Sequence, residues 1–196
     1  MPGVTTLLLA RHGETDWNRE GRFQGHADPP LNDLGRAQAR ALADRLAGEP
    51  LAAVYASPLR RAYETAEIVA VAQGLPVRSA AGLLEVDVGS WSGLTRPEIE
   101  ARFPAGYRRW LDYEHGWDGG ETYAELAERV IPTLLAIAAA NGTGPVLAVT
   151  HGGPIRAAVA HATGISHAQA RRAVAVVENC GVVRLATAGG RLRLVE

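Results

Sequence analysis

Residues 4–15 read VTTLLLARHGET. A short apolar run that is rich in leucine and β-branched residues, and that a glycine ends, is typical of a buried strand. The run stops at Ala10, so Arg11 and His12 would lie at the carboxyl end of the strand, where open α/β sheets form their ligand crevices. An imidazole can attack phosphorus, and a guanidinium can bind phosphate oxygens through two parallel hydrogen bonds. The segment therefore predicts phosphoryl chemistry at the end of a first strand.

A second segment, residues 145–154, has the same form and reads PVLAVTHGGP. Its apolar run also indicates a strand, which ends at His151, and Pro154 is well placed as the first residue of a helix that continues to Gly164. If the two strands are parallel neighbours, His12 and His151 face one crevice. A single histidine at a strand end can be purely structural, but a pair with these flanking sequences favours a reactive site.

Bulk composition limits the classes of protein that the chain can represent. Its 196 residues, of which 47% are hydrophobic and 21% charged, fit one soluble domain with a sizeable core. The formal net charge of −1 gives no overall basic field for nucleic acid or an anionic membrane. A single cysteine, Cys180, excludes an intrachain disulfide, and no targeting or membrane-spanning signal is seen, so we expect a cytoplasmic protein. All 20 basic residues are arginine, which excludes lysine-based Schiff-base and P-loop chemistry.

Strand and helix signals alternate along the chain, which predicts an α/β fold: a three-layer αβα sandwich around a mainly parallel sheet. The clearest helix starts are Asn32 as an N-cap, Ser57 before Pro58, and the capping box of Thr122 and Glu125. Besides the two strands above, the pattern predicts strands at 51–56 and 76–79, a hairpin of 182–186 with 192–195, a loop at 16–30, and helices at 33–47, 58–73, 123–140 and 166–172.

Residues 80–120 break this alternation. The segment contains three of the four tryptophans, Trp91, Trp110 and Trp117. An irregular stretch of this length in a compact domain is often functional, so it is expected to form a lid or wall over the crevice. The alternative is a covering segment that seals one edge of the sheet. Short helices are expected within it at 96–103 and 105–113.

Four blocks of the chain resemble the motifs of one family, the histidine phosphatase superfamily, which is also called phosphoglycerate mutase-like. The blocks, in the family's order, are RHGET at 11–15 with Asn18 after it, SPLRRAYETA at 57–66, LEVDVGSWSG at 84–93 and THGG at 150–153. The resemblance extends from about residue 4 to residue 187. It implies a single domain of this family over residues 1–196, with the excursion at 80–120 as its lid or wall.

The resemblance also implies roles for individual residues. His12 would be the nucleophile that forms a phosphohistidine, and Glu85 would give a proton to the leaving oxygen. Arg60 and Arg61 compete for the second arginine position, and Arg61 is chosen because it directly precedes Ala62, which matches the family's spacing. The phosphate would be bound by Arg11, Arg61 and His151, with Asn18, Gln24 and the backbone of Gly152 as further candidates.

The resemblance implies a metal-independent phosphomonoesterase that acts on a small-molecule phosphate monoester, with no cofactor and with a monomer or homodimer as the active form. One alternative is a cofactor-dependent phosphoglycerate mutase, which transfers the phosphoryl group to another acceptor. The sequence GSWSG at 89–93 resembles the phosphatase branch, since mutases carry Gly-Leu-Asn there. A non-catalytic protein that binds a phosphorylated ligand would lack the nucleophile or the acid, and both are present.

A zinc enzyme that uses the two histidines is a further alternative, but no third ligand stands at a usual helical spacing such as His-x-x-x-His. Five other residues have open roles. A basic cluster in the excursion could bind a second acidic group on the substrate or form a solvated surface face, and a carboxylate before the helix at 123 could belong to the helix start or lie at the rim of the pocket. These residues are Arg60, Arg108, Arg109, His115 and Glu121.

Overall fold

The computed structural model describes residues 4–173 and 175–195 and contains a six-stranded sheet with the order β3-β2-β4-β1-β5-β6. The first four strands in this order, β3, β2, β4 and β1, are parallel to one another. Strand β5 is antiparallel to β1 and to β6. The sheet is therefore mainly parallel, as predicted, with a hairpin at one edge. The strands are β1 Thr5–Arg11, β2 Ala53–Ala56, β3 Val77–Ser79, β4 Val146–Thr150, β5 Val182–Ala188 and β6 Arg191–Leu194.

Helices cover both faces of the sheet. Leu7 and Leu9 of β1 belong to a core that includes α6 and α7, while Leu8 and Ala10 belong to a second core with α2 and α3. This alternation confirms the three-layer αβα architecture, because successive side chains of a strand point to opposite faces. The helices are α1 Asp16–Arg19, α2 Asp33–Leu46, α3 Arg60–Gln73, α4 Arg96–Arg102, α5 Pro104–Leu111, α6 Tyr123–Ala140, α7 Gly152–Thr163 and α8 His167–Ala173. Within residues 4–173 and 175–195, none of them combines the length and apolar character needed to cross a bilayer.

Two helix starts differ from the prediction. Helix α3 begins at Arg60 with Leu59 as its N-cap, so Ser57 does not cap it; the Ser57 hydroxyl is instead hydrogen-bonded to the side chain of His151. Helix α7 begins at Gly152, two residues before Pro154, and His151 is its extended N-cap residue. In both places the chain leaves a strand and enters a helix within a few residues, and tertiary contacts set the boundary.

The predicted loop at 16–30 contains a short helix, α1. Thr15 is its N-cap, and a capping box joins the Thr15 hydroxyl to the Asn18 amide and the Asn18 side chain to the Thr15 backbone. Asn rather than Glu or Gln completes this box, so the usual signature at the helix start is absent from the sequence. The box fixes the backbone directly after the RHGET segment.

The 80–120 excursion is organised around Trp91, which is fully buried. The rings of Phe23, Trp110 and Trp117 meet the Trp91 ring edge-on at centroid distances of 5.5, 6.2 and 5.6 Å. Such edge-to-face contacts are a favourable arrangement of aromatic rings. The segment forms one wall of the cavity described below, and its opening as a lid stays a prediction.

Candidate active site

The two histidines of the RHGET and THGG segments lie side by side at the carboxyl ends of β1 and β4. These strands are parallel neighbours, and Arg11 is paired in register with Thr150. The ring centroids of His12 and His151 are 5.1 Å apart, and both side chains are buried. Adjacent parallel strands thus bring together two residues that are far apart in the sequence.

His12 is held as a neutral imidazole with one nitrogen free. Its Nδ1 lies 2.6 Å from the carbonyl oxygen of Gly13, so Nδ1 carries the proton and donates it to that carbonyl. Burial lowers the pKa of His12 well below its usual value, and the charges of Arg61 and Arg11 lower it further. The lone pair of Nε2 is therefore available near neutral pH.

His151 is fixed by a serine from the neighbouring strand. Its Nε2 is 2.8 Å from the Ser57 hydroxyl, and both side chains are fully buried. Its Nδ1 has no hydrogen-bond partner among the described residues. Burial lowers the pKa of His151 well below its usual value, and the charges of Arg61 and Arg11 add to this effect. A neutral His151 that accepts the Ser57 proton at Nε2 would present an N–H at Nδ1.

One buried and one partly buried arginine supply positive charge. The Arg61 guanidinium is fully buried and donates to the carbonyl oxygens of Ala27 and Gly25 at 2.7 and 2.8 Å. Arg11 donates to the carbonyl oxygen of Val177 at 2.9 Å. Burial lowers the pKa of Arg11, and it lowers the pKa of Arg61 to about 10, so both remain cations at neutral pH. Backbone carbonyls orient these charges without neutralising them.

The structure separates the two competing arginines of the second block. Arg61 faces the cavity, whereas Arg60 is exposed and its backbone amide donates to the Asp28 carboxylate. One turn after Arg61, the Thr65 hydroxyl donates to the Arg61 carbonyl at 2.7 Å and accepts the Gly13 amide at 3.0 Å. Helix α3 is thereby connected directly to the backbone that follows His12.

Glu85 reaches the start of helix α7. Its Oε1 accepts the backbone amides of Val86 and Gly153 at 2.8 and 3.0 Å. Its backbone carbonyl accepts hydrogen bonds from Arg129 at 2.7 Å and from His26 at 2.8 Å. Both the carboxylate and the main chain of Glu85 are therefore held in place, and Oε2 is the carboxylate oxygen not engaged by an amide of the described residues.

Arg129 organises the loop that carries Glu85, and the sequence analysis did not identify it. Its guanidinium also donates to the carbonyls of Gly82 and Leu84 at 3.0 and 2.8 Å. Glu121 pairs with it at 2.6 Å, so Glu121 is the counter-ion of Arg129. The signal in the sequence was a lone arginine on a mostly apolar helix, which is uninformative without the three-dimensional contacts.

Arg11, His12, Arg61 and Glu85 line a cavity of about 690 Å³, whereas His151, which stands beside His12, is not one of its lining residues. Asn18 lies on its wall with its Oδ1 accepting the Thr15 amide at 3.1 Å, which leaves its amide nitrogen for a ligand. Gln24, which is 8% exposed, and Gly152 are also on the wall. The predicted site residues on this wall are Arg11, His12, Asn18, Gln24, Arg61, Glu85 and Gly152.

The basic residues proposed to bind a second acidic group are not on this wall. Arg108 and Arg109 are exposed, and His115 stands against Trp117. Instead, Arg156 and Arg171 line the cavity. Arg156 follows Gly152 by one helical turn, a spacing that places both on one face of a helix and that the sequence analysis left unused.

The described residues contain no group of three or more His, Cys, Asp and Glu side chains that could hold a metal ion. The two histidines face guanidinium groups, which repel a divalent cation, so the donor set suits an anion.

Comparison with known proteins identifies the family. The histidine phosphatase superfamily (branch 1) matches residues 7–196. The chain belongs to this superfamily. The family resemblance read from the four sequence blocks is thus confirmed, and as a member of a phosphatase family the chain is a phosphoric monoester hydrolase.

Named relatives of this histidine phosphatase cover most of its length. Phosphoserine phosphatase 1 of Hydrogenobacter thermophilus is 38% identical over 79% of this chain and 74% of that protein. A metal-independent phosphoserine phosphatase of Arabidopsis thaliana is 40% identical over 79% and 67%. Among solved structures, a mycobacterial glucosyl-3-phosphoglycerate phosphatase in complex with VO3 superposes with a TM-score of 0.87 at 33% identity, covering 97% of both chains.

Proposed function

We propose that this phosphatase hydrolyses small-molecule phosphate monoesters through a phosphohistidine on His12, without a metal ion. The observation that carries the proposal is a neutral His12 with a free Nε2, which shares one cavity with Arg11, Arg61 and Glu85. A nucleophile, fixed positive charge and a carboxyl group are the parts that phosphoryl transfer to a side chain requires.

In the first step the Nε2 lone pair of His12 attacks phosphorus while the bond from phosphorus to the ester oxygen breaks. The leaving oxygen takes a proton from Oε2 of Glu85, which becomes a carboxylate. Charge on the three equatorial oxygens is stabilised by Arg11 and Arg61, whose guanidinium groups are already oriented by carbonyls. Asn18, Gln24 and the Gly152 amide are proposed as further hydrogen-bond donors to these oxygens.

In the second step a water molecule attacks the phosphohistidine. The Glu85 carboxylate accepts the proton of the water, the bond from phosphorus to Nε2 breaks, and its electron pair returns to the imidazole. Inorganic phosphate leaves, and Glu85 is again protonated for the next cycle. One carboxyl group thus serves as acid and then as base.

His151 is proposed to bind the transferring phosphoryl group through Nδ1–H. In this proposal the Ser57 hydroxyl, 2.8 Å away, donates to Nε2 of His151, which places the ring proton on Nδ1. The buried position of His151 makes this donor stronger than it would be in water.

Two observations support a reaction without a metal. The donor set of the cavity is cationic around both histidines, and a relative of 40% identity is named a metal-independent phosphoserine phosphatase. We also propose an active monomer or homodimer, since one chain supplies every residue used above. A cytoplasmic location is proposed because the single cysteine, Cys180, is a free thiol, which fits a reducing compartment.

The direct test is phosphate release from a panel of phosphate monoesters in excess chelator. Wild type is expected to release phosphate at an unchanged rate with the chelator, and His12→Ala is expected to release none. His161→Ala, a change at an exposed histidine of α7, is the matched control and should behave as wild type. Loss of activity with the chelator, or retention of activity in His12→Ala, would overturn the proposal.

A further inference from the structure

Arg156 and Arg171 line the same cavity as the catalytic groups, but the mechanism above does not use them. Arg156 lies on α7 one turn beyond Gly152, so the two residues share a helix face and are separated by about 6 Å along the axis. Side chains of a helix lean toward its N-terminus, which here is the end that His151 caps. Arg156 therefore extends over the cavity on the side next to the phosphate position.

Neither arginine is neutralised by a carboxylate within the two described stretches of the chain. The ion pairs found there involve other arginines; Arg22, which is on the same wall, pairs with Glu20 and Glu98. The Nε of Arg156 is buried and has no hydrogen-bond partner in the described chain. Burial lowers the pKa of Arg156, and the charge of Arg171 lowers it further. The Glu85 carboxylate acts in the opposite direction, but in the part of the chain that the structure describes neither arginine forms an ion pair with a carboxylate. An anion between these two like charges would therefore be favourable.

Aromatic rings hold Arg171 in a fixed orientation. Its guanidinium carbon lies 4.9 Å from the ring centroid of Trp110, 5.3 Å from that of Tyr123 and 5.4 Å from that of Tyr113. One of its nitrogens donates to the Trp110 carbonyl at 3.2 Å. A cation that its surroundings orient in advance loses little conformational entropy when it binds an anion.

His167, which lies next to this pair, adds no charge to it. His167 stacks on Tyr123 with a centroid distance of 4.0 Å. Burial, with the charges of Arg156 and Arg171, lowers the pKa of His167 to about 4, so the imidazole is neutral at pH 7. The net charge of the cluster of Arg156, Arg171 and His167 therefore comes from its two arginines.

We propose that Arg156 and Arg171 bind a carboxylate of the substrate, so that the preferred substrates are phosphate monoesters with a carboxylate close to the ester carbon. The inference rests on the proposed function, which places the phosphate at His12. Planar guanidinium groups match a carboxylate through paired hydrogen bonds. Both arginines line the cavity that also contains His12, so a carboxylate close to the ester carbon would lie in the same cavity as the phosphate.

The test compares esters that differ only by the carboxylate: phosphoserine with phosphoethanolamine, and 3-phosphoglycerate with glycerol 3-phosphate. We expect wild type to have a higher kcat/KM for the carboxylated member of at least one pair. In Arg156→Gln the kcat/KM for that ester should fall by about tenfold to a hundredfold, the effect of losing a charged hydrogen bond. The partner ester without the carboxylate should change by less than about threefold, since it makes no such bond.

Arg172→Gln is the matched control, because Arg172 is the exposed neighbour of Arg171, stacks on Tyr113 and is not on the cavity wall. It should leave both esters unchanged. Arg156→Lys keeps the positive charge but loses the forked geometry of the guanidinium, so its kcat/KM for the carboxylated ester should fall less than that of Arg156→Gln. This variant also provides the test if Arg156→Gln does not fold.

Three results would contradict the inference. Equal losses for both members of a pair in Arg156→Gln would make Arg156 a phosphate-binding or structural residue, and wild type without a preference in either pair would exclude a carboxylate subsite. Both leave the proposed function intact. Failure of wild type to release phosphate from any of the four esters and from p-nitrophenyl phosphate would instead overturn the proposed function, and the inference with it.

Discussion

His12 and His151 are buried imidazoles surrounded by cations, and their neutrality links catalysis to stability. In the unfolded chain their pKa is the ordinary 6.5, whereas in the folded protein burial and the charge of Arg61 lower it well below that value. Below pH 6.5 the unfolded state therefore binds more protons than the folded state. It follows that folding stability decreases as the pH falls through this range.

We expect the free energy of unfolding to fall from pH 6.5 downward by up to about 1.4 kcal/mol per pH unit for each of the two histidines. Urea unfolding at a series of pH values between about 7 and 5 measures this slope. In the double variant His12→Asn, His151→Asn the slope should be smaller, because these titrating groups are gone. An identical slope in the variant would show that the two imidazoles do not titrate on unfolding.

Ser57 acts at the same scale through its hydrogen bond to His151. In Ser57→Ala the imidazole loses the partner that selects its tautomer, so kcat/KM should fall about fivefold, the effect of one neutral hydrogen bond. Ser79→Ala is the control, since Ser79 is an exposed serine at the end of the neighbouring strand β3. Steady-state kinetics with one ester measure kcat/KM for both variants. Equal values of kcat/KM would show that Ser57 does not contribute to the reaction.

At the scale of elements, the guanidinium of Arg129 connects helix α6 to the loop that carries Glu85 through hydrogen bonds. Arg129 donates to the carbonyls of Gly82, Leu84 and Glu85 and is itself paired with Glu121. These hydrogen bonds fix the position of the Glu85 backbone beside the cavity. Arg129 is therefore a positioning residue for the proposed proton donor.

Arg129→Gln should lower kcat by about tenfold or more, the effect of losing several charged hydrogen bonds. The loss should be larger for an alkyl phosphate than for p-nitrophenyl phosphate, because only the poor leaving group needs the proton of Glu85. Glu128→Gln, at the exposed neighbouring residue of α6, is the control. A loss that is independent of the leaving group would make Arg129 merely structural.

The contact between the loop after β1 and the start of α2 depends on two glycines. A Cβ on Gly13 would overlap the Gly35 carbonyl, and a Cβ on Gly35 would overlap the Glu14 backbone. Backbone atoms cannot yield as a flexible side chain can, so Gly13→Ala and Gly35→Ala should each lower the free energy of unfolding by about 1–3 kcal/mol. Gly48→Ala, with no atom within 4 Å of the added carbon, should leave it nearly unchanged in urea unfolding. Unchanged stability in all three variants would mean that the two segments do not pack closely.

At the scale of the whole molecule, the sequence predicted the three-layer fold and the adjacency of His12 and His151, because periodicity locates strands and parallel strands align their carboxyl ends. It also favoured Arg61 over Arg60, and the structure places Arg61 on the cavity wall. These predictions depend on local patterns or on a short motif, which one sequence contains in full.

The contributions of Ser57, Arg129, Arg156 and Arg171 could not be predicted in the same way. Each acts through a partner far away in the sequence, such as Ser57 with His151 or Arg171 with Trp110. The parallel pairing of β2 with β4 brings Ser57 to His151, and the packing of the helices brings the other partners together. The same reason explains why the helix starts at 57–60 and 151–154 were misplaced, since tertiary contacts there outweigh capping propensity.

The most direct measurement is a search for the phosphohistidine in Glu85→Gln with p-nitrophenyl phosphate. This leaving group needs no proton, so His12 should still be phosphorylated, but hydrolysis of the phosphohistidine lacks its base and should be slow. We predict a burst of one p-nitrophenolate per chain and, after an alkaline quench, one phosphoryl group on the peptide that contains His12. No burst, or a phosphoryl group on any other residue, would contradict the account.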